Sequence, residues 1–389
     1  MKSSYKRIGD YIELVDERNK ELNVDLLLGL SISKQFIPSV ANTVGADMSN
    51  YKIIKKGQFA CSIMQVRRDG KMPIALLQDF DEAIISQAYP VFRVIDENKL
   101  LPEYLMMWFS RSEFDRQATF HAVGGVRGSL EWDDFLDFEL PIPSIEKQQK
   151  IVNEYNTITK RIALNEQLNQ KLEETAQTLY KHWFVNFEFP NEEGEPYKSS
   201  GGEMIFNEEL DIEIPEGWEV GIIGDLFTFQ RGHDLPSQRR IKGAYPIFAS
   251  SGIAGFHNEF KINKPTIITG RSGSLGELFY YDKPCWPLNT SLYIKDFKES
   301  TPFYSLYFLK TINLKELGAG SAVPTLNRNV IHALSKEIPC TRVLELFENK
   351  VTSIKMFKDL NTNVIDKMEG FKGLLLAKMT KVEVEKEIA

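Results

Sequence analysis

The sequence is poor in cysteine and contains no long apolar run, and each absence excludes a class of protein. Its three cysteines, Cys61, Cys285 and Cys340, are scattered without paired spacing. They therefore support neither a disulfide framework nor a zinc site. No segment approaches the roughly 18 apolar residues that a membrane-spanning helix needs, and the N-terminal segment lacks the apolar middle of a signal peptide. We therefore expect a cytoplasmic protein.

The chain also lacks the sequence patterns of several enzymes that act on nucleic acids and nucleotides. An amino-methyltransferase needs an Asn/Asp-Pro-Pro-aromatic motif, and neither Asn263-Lys-Pro nor Asp282-Lys-Pro fits it. The phosphate-binding pattern G-x-x-x-x-G-K-[ST] is absent, because no Lys-Ser/Thr follows the glycine-rich stretch 270–276. The five histidines have neither metal-ligand spacing nor an obvious carboxylate partner. We therefore expect no catalytic residues and no metal site.

Charge is distributed unevenly along the chain. The net charge of −7 is not typical of a nucleic-acid-binding protein. Eleven acidic residues and a single lysine lie between Glu188 and Glu219. Cationic residues cluster elsewhere, in one group of Arg67, Arg68 and Lys71 and in another of Arg231, Arg239, Arg240 and Lys242. An acidic protein can present such local basic faces to phosphates, and the same clusters also fit an ordinary solvated surface.

An internal repeat organises the chain, and two pairs of short segments carry it. Arg7–Ile12 resembles Ile222–Phe227, because each contains a Gly-Asp pair with apolar residues around it. Gly124–Leu130 resembles Gly320–Leu326, and each segment leads towards a proline-containing stretch. The offset is 215 residues for the first pair and 196 for the second, so the globular part of the second repeat is shorter by 19 residues. A duplicated architecture is therefore expected.

Each repeat ends in a long segment with apolar residues at helical spacing of three and four positions. The predicted seam residues, which match at an offset of 196, are Ile158, Asn165, Leu168, Leu172 and Leu179 in the first segment and Ile354, Asn361, Val364, Met368 and Leu375 in the second. Any two amphipathic helices can be aligned somehow, but the single polar residue of each stripe also falls in register. One buried Asn at such a seam specifies which helix is the partner and in which register the two helices pack. The matching Asn residues therefore favour a coiled coil.

Outside these helices the sequence reads as short β-strands with one short helix in each half. The strand-like segments, rich in β-forming residues and flanked by turn residues, are 58–65, 89–94, 266–269 and 291–294. The helical stretches are 102–114 and 302–311. The acidic segment 188–219, with its Gly, Pro and Ser, is predicted to be a solvated connection.

The predicted fold class is therefore α/β (α+β), with two mixed α/β domains and two long antiparallel helices that form a coiled coil. The expected boundaries are 1–143 for the first domain, 144–187 for a central helical spacer, 188–340 for the linker and second domain, and 341–389 for a C-terminal helical spacer. Helices of about 40 residues at 1.5 Å per residue would be about 60 Å long. Such a pair suits a protein that presents two similar surfaces to two places on a DNA duplex, and equally a scaffold that holds two proteins.

A resemblance to a known family makes the first interpretation specific. Thr178–Phe187, Gly202–Leu210 and Ile214–Val220 resemble the central region of the specificity subunits of type I restriction–modification systems. In the second half, Tyr245–Asn258, Gly270–Gly273 and Trp286–Ser291 resemble the second target-recognition domain of those subunits. The resemblance extends over essentially the full length. The first domain departs most from the pattern, so its contacts are the least defined.

The resemblance implies a reader of double-stranded DNA without an active site. One recognition domain would read each half of a bipartite site through the major groove, two methyltransferase subunits would assemble on the helical regions, and translocase–nuclease restriction subunits would join them. S-adenosylmethionine, ATP and Mg²⁺ would serve those partners, and this chain would bind no cofactor. Two alternatives stay open: the specificity subunit of another multisubunit restriction enzyme, and a structural adaptor that binds no DNA.

Candidate DNA contacts are long polar side chains on loops that the β-strands hold in place. Arg and Lys can bridge guanine O6 and N7, and Asn and Gln can bridge adenine N6 and N7. The candidates in the second half are Gln230, Arg231, Arg239, Arg240, Ser250, Ser251, Arg271, Ser272, Asn289 and Thr290. Those in the first half are Gln65, Arg67, Arg68, Lys71, Ser86, Gln87 and Arg127. For each of them, surface solubility is the competing interpretation.

The end of the first long helix carries a group of large aromatic residues. Tyr180, Trp183 and Phe184 lie close together on the predicted helix. If exposed, they would mark an interface for a protein partner. If buried, they would cap the helix pair. We take them as candidate partner-binding residues.

Overall fold

The computed structural model describes residues 5–39, 47–124, 128–319 and 324–381. It divides into two compact units, the first made of residues 1–165 with 363–389 and the second of residues 166–362. Each unit therefore contains a globular part and a stretch of both long helices. Within the described ranges, no helix is both long enough and apolar enough to cross a membrane.

The first unit begins with short strands and ends with helices that lead into the first long helix. Its strands are β1 (Tyr5–Arg7), β2 (Ile12–Val15), β3 (Leu28–Leu30), β4 (Phe36–Pro38), β5 (Lys52–Lys55), β6 (Phe59–Cys61), β7 (Ile74–Leu76), β8 (Glu82–Ile85), β9 (Val91–Val94) and β10 (Glu139–Pro141). Its helices are α1 (Val66–Asp69), α2 (Pro102–Phe109), α3 (Ser112–His121), α4 (Trp132–Leu136) and the long α5 (Ile145–Phe184), which continues into the second unit. Short 3-10 turns cover Ile8–Asp10 and Met48–Asn50.

A four-stranded antiparallel sheet in the order β2-β9-β6-β7 forms the centre of the first unit. Phe59 and Phe92 stack across β6 and β9 with ring centroids 5.0 Å apart. Phe109 from α2 and Phe135 from α4 pack onto this pair. Burial of large aromatic rings supplies much of the apolar area that holds such a domain together.

The second unit repeats this plan. Its strands are β11 (Met204–Asn207), β12 (Ile212–Pro215), β13 (Glu219–Ile222), β14 (Phe227–Arg231), β15 (Tyr245–Ala249), β16 (Gly252–His257), β17 (Thr266–Gly270), β18 (Leu278–Tyr281), β19 (Trp286–Pro287), β20 (Ser291–Phe297), β21 (Gly318–Ala319), β22 (Thr325–Leu326) and β23 (Ser335–Ile338). Its helices are α6 (Ile223–Leu226), α7 (Pro302–Thr311), α8 (Arg328–His332) and the long α9 (Thr341–Lys378), which continues into the first unit. Further 3-10 turns cover Ser237–Arg239 and Met379–Lys381.

The predicted duplication is confirmed by the strand order. The main sheet of the second unit runs β14-β20-β17-β18, which matches β2-β9-β6-β7 position for position. In both units a strand before the Gly-Asp turn pairs antiparallel with the strand that precedes the long helix, β1 with β10 and β13 with β23. The two units are therefore two copies of one topology.

The two long helices run antiparallel in the second unit, and they also contact each other in the first unit. In the second unit, Asn169 of α5 donates a hydrogen bond to Thr362 of α9 at 3.4 Å, and Glu173 four positions later pairs with Lys358 four positions earlier. In the first unit, the Lys372 ammonium of α9 lies 5.7 Å from the ring centroid of Tyr155 of α5. Partner numbers fall as α5 numbers rise, which is the antiparallel arrangement that was predicted.

The predicted seam residues are sheltered on these helices, with two exceptions. Asn165 is buried, and half-buried positions are Ile158, Leu172, Leu179, Ile354, Asn361, Met368 and Leu375. Leu168 and Val364 are exposed instead. The stripe drifts around the helix because 3.6 residues per turn do not match a strict repeat of seven. Ile162 and Ala176 are buried on α5, although neither was in the predicted seam.

Two local expectations are corrected by the structure. The stretch 102–114 is not one helix, because Arg111 adopts extended backbone angles between α2 and α3 and lays its guanidinium over the Trp108 ring. The segment 188–219 is not merely a solvated connection. It contains the β11–β12 hairpin, and its Phe189 stacks on Trp218 with ring centroids 5.3 Å apart, both side chains being buried.

Candidate nucleic-acid interface

Three strand termini meet at one edge of the main sheet of the second unit. Arg231 ends β14 opposite Leu292 of β20, and Gly270 ends β17 opposite Ser291 at the start of β20. Because the central strand is antiparallel to both neighbours, the ends of β14 and β17 lie beside its beginning. The sheet therefore brings together predicted DNA-contacting residues from three separate parts of the sequence: Arg231, Arg271 and the Asn289–Thr290 segment.

The two arginines converge on one backbone oxygen. The Nε of Arg271 donates a hydrogen bond to the Asn289 carbonyl at 3.0 Å, and the Nε of Arg231 donates to the same oxygen at 3.3 Å. Neither guanidinium forms an ion pair with a carboxylate in the described part of the chain. Burial, and then the neighbouring charge of Arg231, lower the pKa of Arg271 below its usual range. The two guanidinium groups are therefore like charges held on one acceptor, without a carboxylate partner among the described residues.

Glycines next to both arginines allow the loops to approach this closely. A Cβ atom on Gly232 would lie 2.1 Å from the Leu288 carbonyl oxygen. A Cβ atom on Gly270 would lie 1.8 Å from the Ser274 carbonyl oxygen. Both contacts are with backbone, which cannot move aside cheaply, so any side chain at either position would push an arginine loop away.

Other predicted residues of the second unit join this cluster through the backbone. The Thr290 carbonyl accepts hydrogen bonds from the amides of Arg271 at 2.8 Å and Ser272 at 3.2 Å. Ser250 and Ser251 form the turn between β15 and β16, and Ser251 lines a hollow of about 660 Å³ with Gly273 and Lys315. The side-chain hydroxyl of Thr290 is buried without a hydrogen-bond partner among the described residues.

The remaining candidates of this unit lie elsewhere. Gln230 is half-buried within β14, where it pairs with Tyr293 of β20. Arg240 donates from its guanidinium to the carbonyl oxygens of Leu235 at 3.4 Å and Ala254 at 3.5 Å. Arg239 is exposed at the end of the 3-10 turn. These residues are not part of the cluster on the Asn289 carbonyl.

In the first unit, the basic candidates lie on a longer loop between β6 and β7. Gln65 has a left-handed φ of 62° and precedes α1, which carries Arg67 and Arg68. The Arg67 guanidinium donates to the Gly124 carbonyl at 3.4 Å. Arg68 is paired with the neighbouring Asp69 at 2.6 Å, so its charge is compensated. Lys71 is exposed, and Arg127 lies outside the described residues.

Ser86 and Gln87 follow β8 in the first unit. The Ser86 hydroxyl accepts a hydrogen bond from the Ala88 amide at 3.4 Å, and Gln87 is exposed. No hydrogen bond in the described part of the chain joins either side chain to the loop of Arg67.

Equivalent backbone hydrogen bonds show which residues correspond between the units. The Leu130 amide donates to the Ile63 carbonyl at 2.9 Å, and the Leu326 amide donates to the Arg271 carbonyl at 2.8 Å. Since Leu130 and Leu326 match in the repeat, Ile63 occupies the place of Arg271. The first unit therefore has no arginine at the position where the second unit has its clearest candidate.

Comparison with known proteins places the chain in a family. The model of the type I restriction modification DNA specificity domain matches residues 34–174 and 215–341, which is more than half of the chain. The chain belongs to this family. The two matched segments fall one in each repeat, so the family domain is present twice.

Two specificity subunits of type I restriction enzymes are similar in sequence to part of the chain. The MjaIX subunit of Methanocaldococcus jannaschii is 32% identical over 148 residues, which are 38% of this chain and 32% of that protein. The HindI subunit of Haemophilus influenzae is 32% identical over 139 residues, 35% of this chain and 30% of that protein. The matched region thus spans about a third of each relative's length.

A solved structure of the family has the same fold. The S subunit of a type I restriction-modification system from M. genitalium aligns with 98% of this chain and 96% of its own, with a TM-score of 0.58 and 16% identity. At this identity the likeness concerns the fold alone. It agrees with the mixed α/β domains and long helices described above.

The aromatic group at the end of α5 is buried, which corrects its assignment as a partner-binding surface. Tyr180, Trp183 and Phe184 are 1%, 4% and 1% exposed. They pack against Phe347 of α9 and Tyr304 of α7 in the core of the second unit. Their apolar side chains attach the helix pair to the globular part of the second unit.

Other apolar side chains of the helices are exposed, and they were not among the predicted partner-binding residues. On α9, Met356, Phe357 and Leu360 are 61%, 63% and 61% exposed in the second unit. In the first unit, Phe371 and Leu374 are exposed beside a groove of about 920 Å³ between α5 and α9. The signal was available, because these residues recur at three- and four-residue spacing along α9.

Proposed function

We propose that this chain is the DNA-reading subunit of a type I restriction–modification complex. The observation that carries the proposal is the pair of uncompensated guanidinium groups, Arg231 and Arg271, on loops that the sheet edge holds rigid. Guanidinium groups are the side chains best suited to guanine edges and to phosphates. Family membership makes duplex DNA the ligand to which this chemistry is assigned.

The site is proposed to be bipartite, with one half read by each unit. The repeated strand order supports this, since each unit presents the same loops at the same sheet edge. The loops themselves differ, because Ile63 replaces Arg271 and the basic residues of the first unit lie on the longer loop with α1. The two halves should therefore differ in sequence, as in a single chain that imitates an asymmetric dimer.

We propose further that the chain is not an enzyme and that its partners supply the chemistry. Two methyltransferase subunits would use S-adenosylmethionine, and restriction subunits would use ATP and Mg²⁺. The exposed apolar side chains of α9, Met356, Phe357 and Leu360, support docking of a protein partner on the helices. This chain would contribute recognition and assembly.

The proposal is tested by selection from a randomised duplex library, with the full chain alone and with a methyltransferase subunit. We expect retained DNA to share two short sequences separated by a fixed gap. Methylome sequencing of the source cell with and without the gene should report the same split site. Retained DNA without any common sequence would contradict sequence reading, and no retained DNA under either condition would favour a structural adaptor that binds no DNA.

A further inference from the structure

The side-chain amide of Asn289 is committed within the protein. Its Nδ2 donates a hydrogen bond to Oδ1 of Asp234 at 2.7 Å. At the same time, the backbone carbonyl of this residue accepts from both Arg231 and Arg271. Asn289 therefore joins Asp234 to the arginine pair, through its side chain on one side and its carbonyl on the other.

Asp234 lies on the loop that leaves β14, three residues after Arg231. The backbone of this loop is hydrogen-bonded to both ends of the β19–β20 connection, because the amide of Gly232 donates to the Ser291 carbonyl at 3.0 Å and that of His233 to the Pro287 carbonyl at 2.8 Å. The Asp234 carboxylate forms no ion pair in the described part of the chain, so its hydrogen bond with Asn289 is not shared with a cation.

We propose that Asp234 is a positioning residue for DNA recognition by the second unit. It holds Asn289 so that one carbonyl oxygen orients both guanidinium groups towards a single group of the DNA. This inference rests on the proposed function and deepens it. It reassigns Asn289 from direct contact with a base to support of the arginines, and it makes Arg231 and Arg271 one functional pair.

The chemistry of Asp234 predicts different results for two substitutions. Asp234→Asn keeps an oxygen that can accept from Asn289 and removes a negative charge near the site. Asp234→Ala removes the acceptor as well. If Asp234 is a positioning residue, the Asn variant keeps the base preference of the half-site. The Ala variant should lose roughly fivefold to tenfold of that preference, which is about the effect of one hydrogen bond on discrimination between bases.

The experiment is selection from the randomised duplex library with the full chain and a methyltransferase subunit, in wild-type and variant forms. Asp296→Ala is the matched control, because it removes a carboxylate from the opposite end of β20, where Asp296 pairs with Lys264 at 2.9 Å. Asn289→Ala should weaken preference as much as Asp234→Ala, and the double variant should be no worse than either. Thermal unfolding of each variant should match the wild type.

Each alternative result has a definite meaning. A wild type without sequence preference overturns the proposed function and this inference with it. A wild type with preference, together with an Asp234→Ala variant that behaves identically, overturns this inference alone. Equal losses for Asp234→Asn and Asp234→Ala, an equal loss for Asp296→Ala, or additive losses for the Asp234 and Asn289 changes would also contradict positioning.

Discussion

The two units share one strand order, but they are fastened to the long helices by different side chains. We call the place where the long helices pack on the globular part of a unit its junction. In the second unit, the junction is filled by the aromatic rings of Phe347, Tyr180 and Trp183. At the repeat-equivalent positions, the first unit has Ile151, Leu376 and Met379. The comparison indicates that the repeat preserves where the helices attach, while the packing at each junction has changed independently.

Polar anchors differ in the same way. Glu173 of α5 accepts hydrogen bonds from Lys310 of α7 and Lys358 of α9, and Tyr307 donates to it at 3.1 Å. The equivalent residue in the first unit, Glu369, pairs only with Lys372 on its own helix among the described residues, at 3.3 Å. The second unit therefore has an ionic anchor between three helices that the first unit lacks.

The largest expected difference between the junctions concerns Phe347. Phe347→Ala should destabilise the second unit by about 3–5 kcal/mol, since it empties a fully buried site among aromatic rings. The matched change Ile151→Ala removes a half-buried side chain and should cost roughly 1–2 kcal/mol in the first unit. Hydrogen exchange resolved by unit measures both effects. Equal losses in the two units would contradict the difference in packing.

The second largest difference is expected between arginine substitutions in the candidate DNA-binding loops of the two units. Arg271→Ala is expected to relax one base position of one half-site, by about 1–3 kcal/mol of discrimination. Arg68→Ala should leave selection almost unchanged, because that guanidinium is already paired with Asp69 and exposed ion pairs contribute little. Library selection with both variants gives the comparison. Uniform weakening of Arg271→Ala on every sequence would assign Arg271 to a phosphate instead.

The ionic anchor should give the second unit a distinct response to acid. Burial alone would raise the pKa of Glu173, but hydrogen bonds from Lys310 and Lys358 outweigh it and lower the pKa to about 2. Its folded pKa lies below its unfolded value, so its contribution is present above pH 4.5 and is lost as pH falls towards about 2.

Because Glu173 is partly solvated, its contribution should be only about 1–2 kcal/mol. Glu173→Gln should therefore destabilise the second unit at neutral pH and flatten its stability between pH 4.5 and about 2. Glu369→Gln is the matched control in the first unit and should change stability by less than about 0.5 kcal/mol. Urea unfolding across this range measures both. Identical pH profiles for Glu173→Gln and the wild type would refute the anchor.

The smallest expected effect concerns the residue that caps the short helix of each unit. In the first unit, the neutral Gln148 accepts from the Leu101 amide at 2.9 Å. In the second, Glu348 accepts from the Phe303 amide at 2.9 Å, and burial raises the pKa of this carboxyl. The folded state therefore holds its proton more tightly, and the residue opposes stability as pH rises through the raised pKa.

Glu348→Gln keeps the acceptor and removes the ionisation, so it should stabilise the second unit slightly at neutral pH. The reciprocal change, Gln148→Glu, should destabilise the first unit increasingly as pH rises, because a carboxylate cannot donate the hydrogen bonds that the Gln148 amide gives to the Lys99 and Pro143 carbonyls at 2.8 and 2.9 Å. Thermal unfolding at pH 5 and pH 8 detects both changes. A stability loss for Glu348→Gln at high pH would mean that the charged carboxylate is the better cap.

Much of the framework could be predicted from the sequence, because it depends on local patterns. The strand segments around Phe59, Val91, Thr266 and Ser291 and the helix from Pro302 follow from composition and turn residues. The duplication follows from short segments in register. The site was only partly predictable: Arg231 and Arg271 were chosen for their chemistry, but their meeting on the Asn289 carbonyl depends on strand register that the sequence does not display.

Burial of the aromatic group at Trp183 was likewise beyond sequence patterns, because an apolar cluster at a helix end looks the same whether a domain or a partner covers it. The ion pairs of Glu173 could not be predicted from the sequence either. Its two lysine partners lie on other helices, and only tertiary packing brings them to it. Sequence spacing detects partners on one helix and misses those between helices.

The central claim is that each unit reads its own half of the DNA site, and one selection tests it directly. The full chain with a methyltransferase subunit is presented with a randomised duplex library as wild type, as Arg67→Ala in the first unit and as Arg271→Ala in the second. We expect a split site from the wild type and relaxation of a different half by each variant. Relaxation of the same half by both, or equal weakening across the whole site, would contradict the claim.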